Sequence, residues 1–219
     1  MLLACSGGGT EDSYGASAGP STSRDSAGSE AVARQPQQLT AGQLEDTLPT
    51  SSDMSAIFSP TQEDDSDKDD ESFLCGVDVD RLDRRNAGAK VGYVAQVGVS
   101  ATRYSFGISQ LDSPALAVEQ RRALAEAIDS CTRFTSNGDS YAVAPLSAAG
   151  GDENTVAVQA TTKSAGFAVA VNVLIVRTGS SLVASLSATI GLAPGSTIDE
   201  LLRLTEETVD RYEAEADIA

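Results

Sequence analysis

The chain has 219 residues, a formal net charge of −17 and no histidine. That length suits one domain with additional segments. So large an acidic excess argues against nucleic acid, or an anionic lipid surface, as a partner reached through basic contacts. The lack of histidine excludes Ser-His-Asp hydrolysis and histidine-zinc sites. No stretch reaches the ~18 apolar residues of a membrane-spanning helix.

Residues Leu2-Leu3-Ala4-Cys5 match a lipobox. Signal peptidase needs an apolar residue three before the cysteine and a small one just before it, and Leu2 and Ala4 supply both. The Cys5 thiol would then be acylated and become the new amino terminus, holding the chain on the outer side of the cell membrane. Most of the leader that normally precedes such a motif is not part of the sequence, so the rival reading is a chance match at a soluble terminus. Residues 6–38 are small, polar and nearly free of aliphatic side chains. Little there can be buried to offset ordering entropy, so a disordered tether is expected, about 30 Å from end to end as a coil.

Order begins at Leu39. Thr40 and Gln43 have capping-box spacing, and Leu39 and Leu44 occupy the two positions of a hydrophobic staple. A short helix is expected over 41–48, ended by Pro49. Residues 61–72 form an acidic run in which Asp65, Asp67 and Asp69 have the opening spacing of a calcium loop. Asp70 stands where such a loop needs glycine and Gly76 where it needs glutamate, so a solvated loop is expected and no metal.

Val91, Tyr93, Ala95, Val97 and Val99 alternate, then Tyr104, Phe106 and Ile108 do so, which predicts a hairpin turning near Ser100-Ala101. Ser113 caps and Pro114 opens a helix expected to run to Phe134, with Leu124, Ile128 and Cys131 on one face. Asn137-Gly138-Asp139 is a turn. Strands follow near 140–146, 154–162, 166–178 and 181–190. The third is apolar on both faces, which marks a central strand covered on both sides. Thr197 and Glu200 have capping-box spacing ahead of a stripe of Ile198, Leu201, Leu202, Thr205, Val209 and Tyr212. This predicts a terminal helix docked on the sheet.

These features occur in the order lipobox, Ser/Gly tether, short leucine-bearing helix, Cys75, paired strands, and a long helix ending in Cys131-Thr132-Arg133-Phe134. Ala144-Pro145-Leu146, Gly151-Asp152-Glu153, Val176-Arg177-Thr178-Gly179 and a terminal helix complete the series. Over about 39–215 the chain resembles the PknH-like extracellular sensor domains of actinobacterial surface lipoproteins and of one group of receptor kinases. The resemblance implies an α+β domain at 39–219: an antiparallel sheet flanked by helices, with an unassigned ligand. The receptor form carries more cysteines, whereas this chain offers one candidate pair.

Outside the cytoplasm two lone thiols oxidise, so a Cys75–Cys131 disulfide is the expected state. The rival is a reactive thiol, which needs a basic neighbour to lower its pKa. Gly151-Asp152-Glu153 opens a strand. Its carboxylates could bind a cation or serve as acid and base, but a turn with Asp152 bonded to nearby backbone is the simpler expectation. Arg177 could anchor an anionic ligand or pair structurally with Asp152 or Glu153. Tyr93, Tyr104, Phe106 and Phe167 could line an apolar cleft, although strand aromatics are more often core. The expectation is thus a membrane-anchored, non-catalytic sensor or ligand-binding domain. Its partner would be an unknown small molecule or protein, with no cofactor, metal or nucleic acid. The alternative is a protein-interaction module without a small ligand. A deep apolar pocket would favour the first, a flat exposed apolar patch the second.

Overall fold

The computed structural model describes residues 37–61, 75, 85–136, 138–146, 153–191 and 195–218. Cys5, the tether up to residue 36, the acidic run beyond Thr61 and Asp152 lie outside the described residues. In chain order the elements are α1 (Ala41–Thr47), β1 (Ser59–Thr61), β2 (Arg85–Val97), β3 (Ser100–Leu111), α2 (Pro114–Asp129) and β4 (Arg133–Ser136), then β5 (Asp139–Pro145), β6 (Thr155–Ser164), β7 (Phe167–Thr178), β8 (Ser181–Ile190) and α3 (Gly195–Ile218). Eight antiparallel strands form one sheet in the order β1-β2-β3-β8-β7-β6-β5-β4. The fold is the expected α+β sheet with flanking helices.

Strand alternation divides the core in two, because successive side chains point to opposite faces. On the first face Tyr93, Tyr104, Phe106, Ile108 and Val183 pack against Leu39, Leu44 and Leu48 from α1 and its flanks, and against Leu201, Leu204 and Tyr212 of α3. On the second face Leu111, Val156, Val158, Val173, Ile175 and Leu182 pack under Ala117, Leu124 and Ile128 of α2. β7, the doubly apolar strand, lies between β8 and β6 as its pattern predicts. Among the described residues no helix is long and apolar enough to cross a membrane.

The capping box of α1 forms: Thr40 Oγ1 accepts from the Gln43 backbone, and Gln43 Oε1 accepts from the Thr40 N–H at 3.0 Å. Leu39 and Leu44 are both buried, as a staple requires. Asp53, in the turn after α1, accepts from the Thr50 N–H at 2.7 Å and pairs with Arg211 of α3 at 3.1 Å. The Thr50 hydrogen bond and Arg211 hold its carboxyl below the usual aspartate range, against an opposing push from burial.

Three expectations are corrected. The β2–β3 turn falls at Gly98-Val99, two residues early: Gly98 takes φ +62°, which glycine allows at no steric cost. Val97 and Val99 therefore end at the tip of the hairpin, 62% and 76% exposed, rather than in the sheet's buried row. Helix α2 stops at Asp129, not Phe134. Thr132, Phe134 and Thr135 favour strand, and pairing of β4 with β5 outweighs another helical turn. Finally, α3 starts at Gly195, so Thr197 lies inside the helix and not at its cap. The stripe of α3 also includes Leu204 and Thr208, both fully buried. The short edge strands β1 and β4 had no counterpart in the pattern.

The Cys75–Cys131 crosslink is present, with the two Cα atoms 5.8 Å apart. It ties Cys75 to the chain just past α2, beside the second core. Cys75 takes φ +64°, a conformation uncommon for a residue with a Cβ.

Candidate functional site

The helices cover the first sheet face unevenly. α1 and α3 cover β2, β3, β8 and part of β7, leaving β6, β5 and β4 open. Along this open half the inward row carries short side chains. Register aligns Thr102, Thr189, Ala170, Thr161, Ala142 and Arg133 on one cross-strand line. The next line carries Tyr104, Ser187, Asn172, Gln159 and Ala144.

Two depressions result. A shelf of about 470 Å³ lies over β4–β7, floored by Ser140, Ala142, Thr161, Ala168 and Ala170 and flanked by Arg133 and Lys163. A groove of about 290 Å³ runs between α3 and β6–β7, lined by Thr155, Leu174, Val176, Leu202, Thr205, Glu206 and Val209. Both are open to solvent. Small floor residues are the cause of the shelf: flanking side chains reach farther from the sheet than alanine does, so the surface sinks between them.

The floor between the depressions is polar and fixed. Gln159 Nε2 donates to Asn172 Oδ1 at 2.8 Å, and Asn172 Nδ2 donates to Ser187 Oγ at 3.0 Å. Asn172 and Ser187 are fully buried, so each needs these partners. On either side of Ser187 along β8, the hydroxyls of Ser185 and Thr189 are buried without a hydrogen-bond partner. Tyr104 closes the line under α3, donating toward the Thr197 carbonyl and Glu200 Oε2 at 3.4 and 3.3 Å. Burial pushes its phenol far up, and the adjacent Glu200 carboxylate adds to the push. Tyr104 is therefore a neutral structural group at any physiological pH.

The residues singled out in the sequence fall elsewhere. Arg177 lies on the second face, where its Nη2 donates to Asn154 Oδ1 and its backbone N–H donates to the Asn154 carbonyl at 2.9 Å. Its described role is to hold the entry of β6 against the end of β7. Glu153 is exposed at that entry. Tyr93, Tyr104 and Phe106 belong to the core, whereas Phe167 is 42% exposed at the start of β7. No cleft unites the four aromatics. Among the described residues no cluster of acidic, cysteine or histidine side chains has a metal-binding arrangement. Arg133 and Lys163 were not singled out. Arg133 was assigned to a helix, and only cross-strand register brings it to the same shelf as Lys163. The available signal was a pair of bases embedded in Ser, Thr, Ala and Gly within an acid-rich chain.

No protein-family model matches the sequence, and no curated protein matches it. Among solved structures, the extracellular domain of PknH from Mycobacterium tuberculosis superposes with a TM-score of 0.60 at 13% identity, covering 82% of this chain and 99% of that one. CalU16 from Micromonospora echinospora matches with a TM-score of 0.31 at 12% identity, covering 60% of this chain and 98% of that one. A Rhizobium leguminosarum protein gives 0.25 at 14% identity, covering 55% and 99%. The last two scores are too low to bear on the fold. The first, with the sheet and helices described above, shows that this chain has the fold of that PknH extracellular domain.

Proposed function

We propose that the chain is an extracytoplasmic, lipid-anchored module whose folded domain binds a ligand on the open half of its first sheet face, without catalysing a reaction. The observation that carries this reading is the shelf over β4–β7: a recessed floor of small side chains beside a satisfied polar network, on a face that the helices leave bare. Bare of helices and floored with small side chains, this face leaves room for a ligand to lie against the sheet. The fold shared with an extracellular domain agrees with a position outside the cytoplasm, as does the disulfide. The lipobox at Cys5 supplies the anchor and residues 6–38 the spacer.

Native mass spectrometry of the protein recovered from its own membrane fraction tests the ligand. A bound small molecule is expected, lost when Ala142→Trp fills the shelf. Retention of that molecule in the filled variant, or its absence from the wild type, refutes a ligand site here. Cys5→Ser tests the anchor separately and should release the protein from the membrane fraction.

A second reading has its own observation. Val97, Val99, Ile190 and Phe167, all more than 40% exposed, lie at neighbouring strand ends along one edge of the molecule. A protein partner docking there would bury them. Val99→Glu with Phe167→Glu would then abolish partner capture and leave small-molecule binding intact.

A further inference from the structure

We infer that the shelf selects its ligand by an anionic group, a carboxylate or a phosphate, held between Arg133 and Lys163. The inference rests on the open face being a ligand site, and it names the chemistry that the site recognises.

Arg133 belongs to β4 and Lys163 to β6, so the two backbones are two strand spacings apart, about 10 Å. The strand between them, β5, presents only the short side chains of Ser140, Ala142 and Ala144 on that face. Nothing tall separates the two long side chains, and both can lean over β5 toward one point. Both are exposed, and among the described residues neither side chain has an ion pair or hydrogen bond.

Most of the other cations among the described residues have a partner, Arg121 being an exception. The chain has 32 acidic residues against 15 basic ones, so a cation readily finds a carboxylate. Arg122 pairs with Glu126, Arg203 with Glu207, and Arg211 with Asp53, while Arg177 donates to Asn154. Two cations over one floor, with no carboxylate partner among the described residues, repel each other until an anion neutralises them. Arg133 offers a planar fork suited to two oxygens, and Lys163 a point charge. The rest of the floor gives the anion short-range donors in the Ser140 and Thr161 hydroxyls without crowding it. Surrounding acidity works as a filter: a free polyanion is repelled at long range, and only a ligand that reaches the shelf gains the local attraction.

Amide chemical-shift titration of the full folded domain tests this with matched probes: butyrate and butyl phosphate against neutral butanol, and inorganic phosphate alone. The anionic probes should move the amides of Ala142, Thr161 and Ala168 at tens of millimolar, and butanol should not. Arg133→Gln with Lys163→Gln should weaken the anionic probes about tenfold or more. Both side chains are exposed, so this variant is expected to fold like the wild type, which its unshifted amides elsewhere would verify. Response to inorganic phosphate alone would identify a free ion as sufficient, whereas response only to the butyl forms would assign the anion to a larger molecule. Equal shifts from butanol, an unchanged response in the double variant, or no shelf response to any anion would overturn the inference. The native-mass result above stands apart from these outcomes, because a neutral ligand lost on filling the shelf would sustain the site while refuting its charge preference.

Discussion

Removing a single oxygen from Tyr212 tests how α3 is joined to the sheet. Tyr212 is 2% exposed, Ser181 0% and Gln110 1%. Ser181 Oγ donates to the Tyr212 hydroxyl at 2.8 Å and Gln110 Nε2 donates to it at 3.4 Å. Tyr212→Phe keeps the ring and its packing but leaves both donors buried without an acceptor. An orphaned buried polar group costs about 1–3 kcal/mol. The second contact is long, so about 2 kcal/mol is expected in all, or roughly 6 °C of midpoint for a domain of this size. Ser181→Ala removes one of the stranded donors in advance. The double variant should therefore be about 1 kcal/mol less destabilised than the sum of the two singles. Equilibrium urea unfolding of the four proteins measures the cycle. An unshifted Tyr212→Phe, or strict additivity, would mean that the hydroxyl is hydrated and that α3 does not seal this end of the core.

Truncation after Gly195 should abolish cooperative unfolding in thermal melts: Leu201 and Leu204 are fully buried and Tyr212 nearly so. At ~1.5–3 kcal/mol for each large side chain, their loss rivals the whole ~5–15 kcal/mol stability of a typical domain. Deleting residues 1–36, which carry few aliphatic side chains, should leave the midpoint in place. Cys131→Ser should lower stability by up to about 4 kcal/mol, since the bridge spans 56 positions, and non-reducing peptide mapping should find Cys75 joined to Cys131 in the wild type. Acid should weaken the attachment of α3 to the turn after α1. The Asp53 carboxyl titrates below its ordinary value of 3.8 in the folded chain, so its contribution is full above the unfolded value and is lost as pH falls through the lower folded one. Asp53→Asn should flatten the fall in midpoint below about pH 4, and an unchanged acid profile would show that the Thr50 and Arg211 contacts do not stabilise the fold.

Local chemistry was enough to place most elements. Thr40 and Gln43 cap α1 because the spacing lets each side chain reach the other's backbone, a contact confined to four residues. Ser113-Pro114 opens α2 for the same reason, and the doubly apolar run of β7 declares a central strand without reference to its neighbours. The disulfide was also legible, from two cysteines and the compartment expected of the chain. Tertiary structure decided where pairing outweighs local preference. Residues 133–136 became an edge strand because β5 offered them a partner, and the Gly98 turn moved two valines out of the buried row. It alone decided the candidate site. Arg133, Ala142, Thr161 and Ala170 share one cross-strand line, although 37 positions separate the first from the last in sequence. Strand order and register create that line, and both are set by long-range pairing that no window of sequence contains. Arg177 shows the converse. Its place at the end of a buried strand was legible, but its partner, Asn154, lies 23 positions away across the sheet.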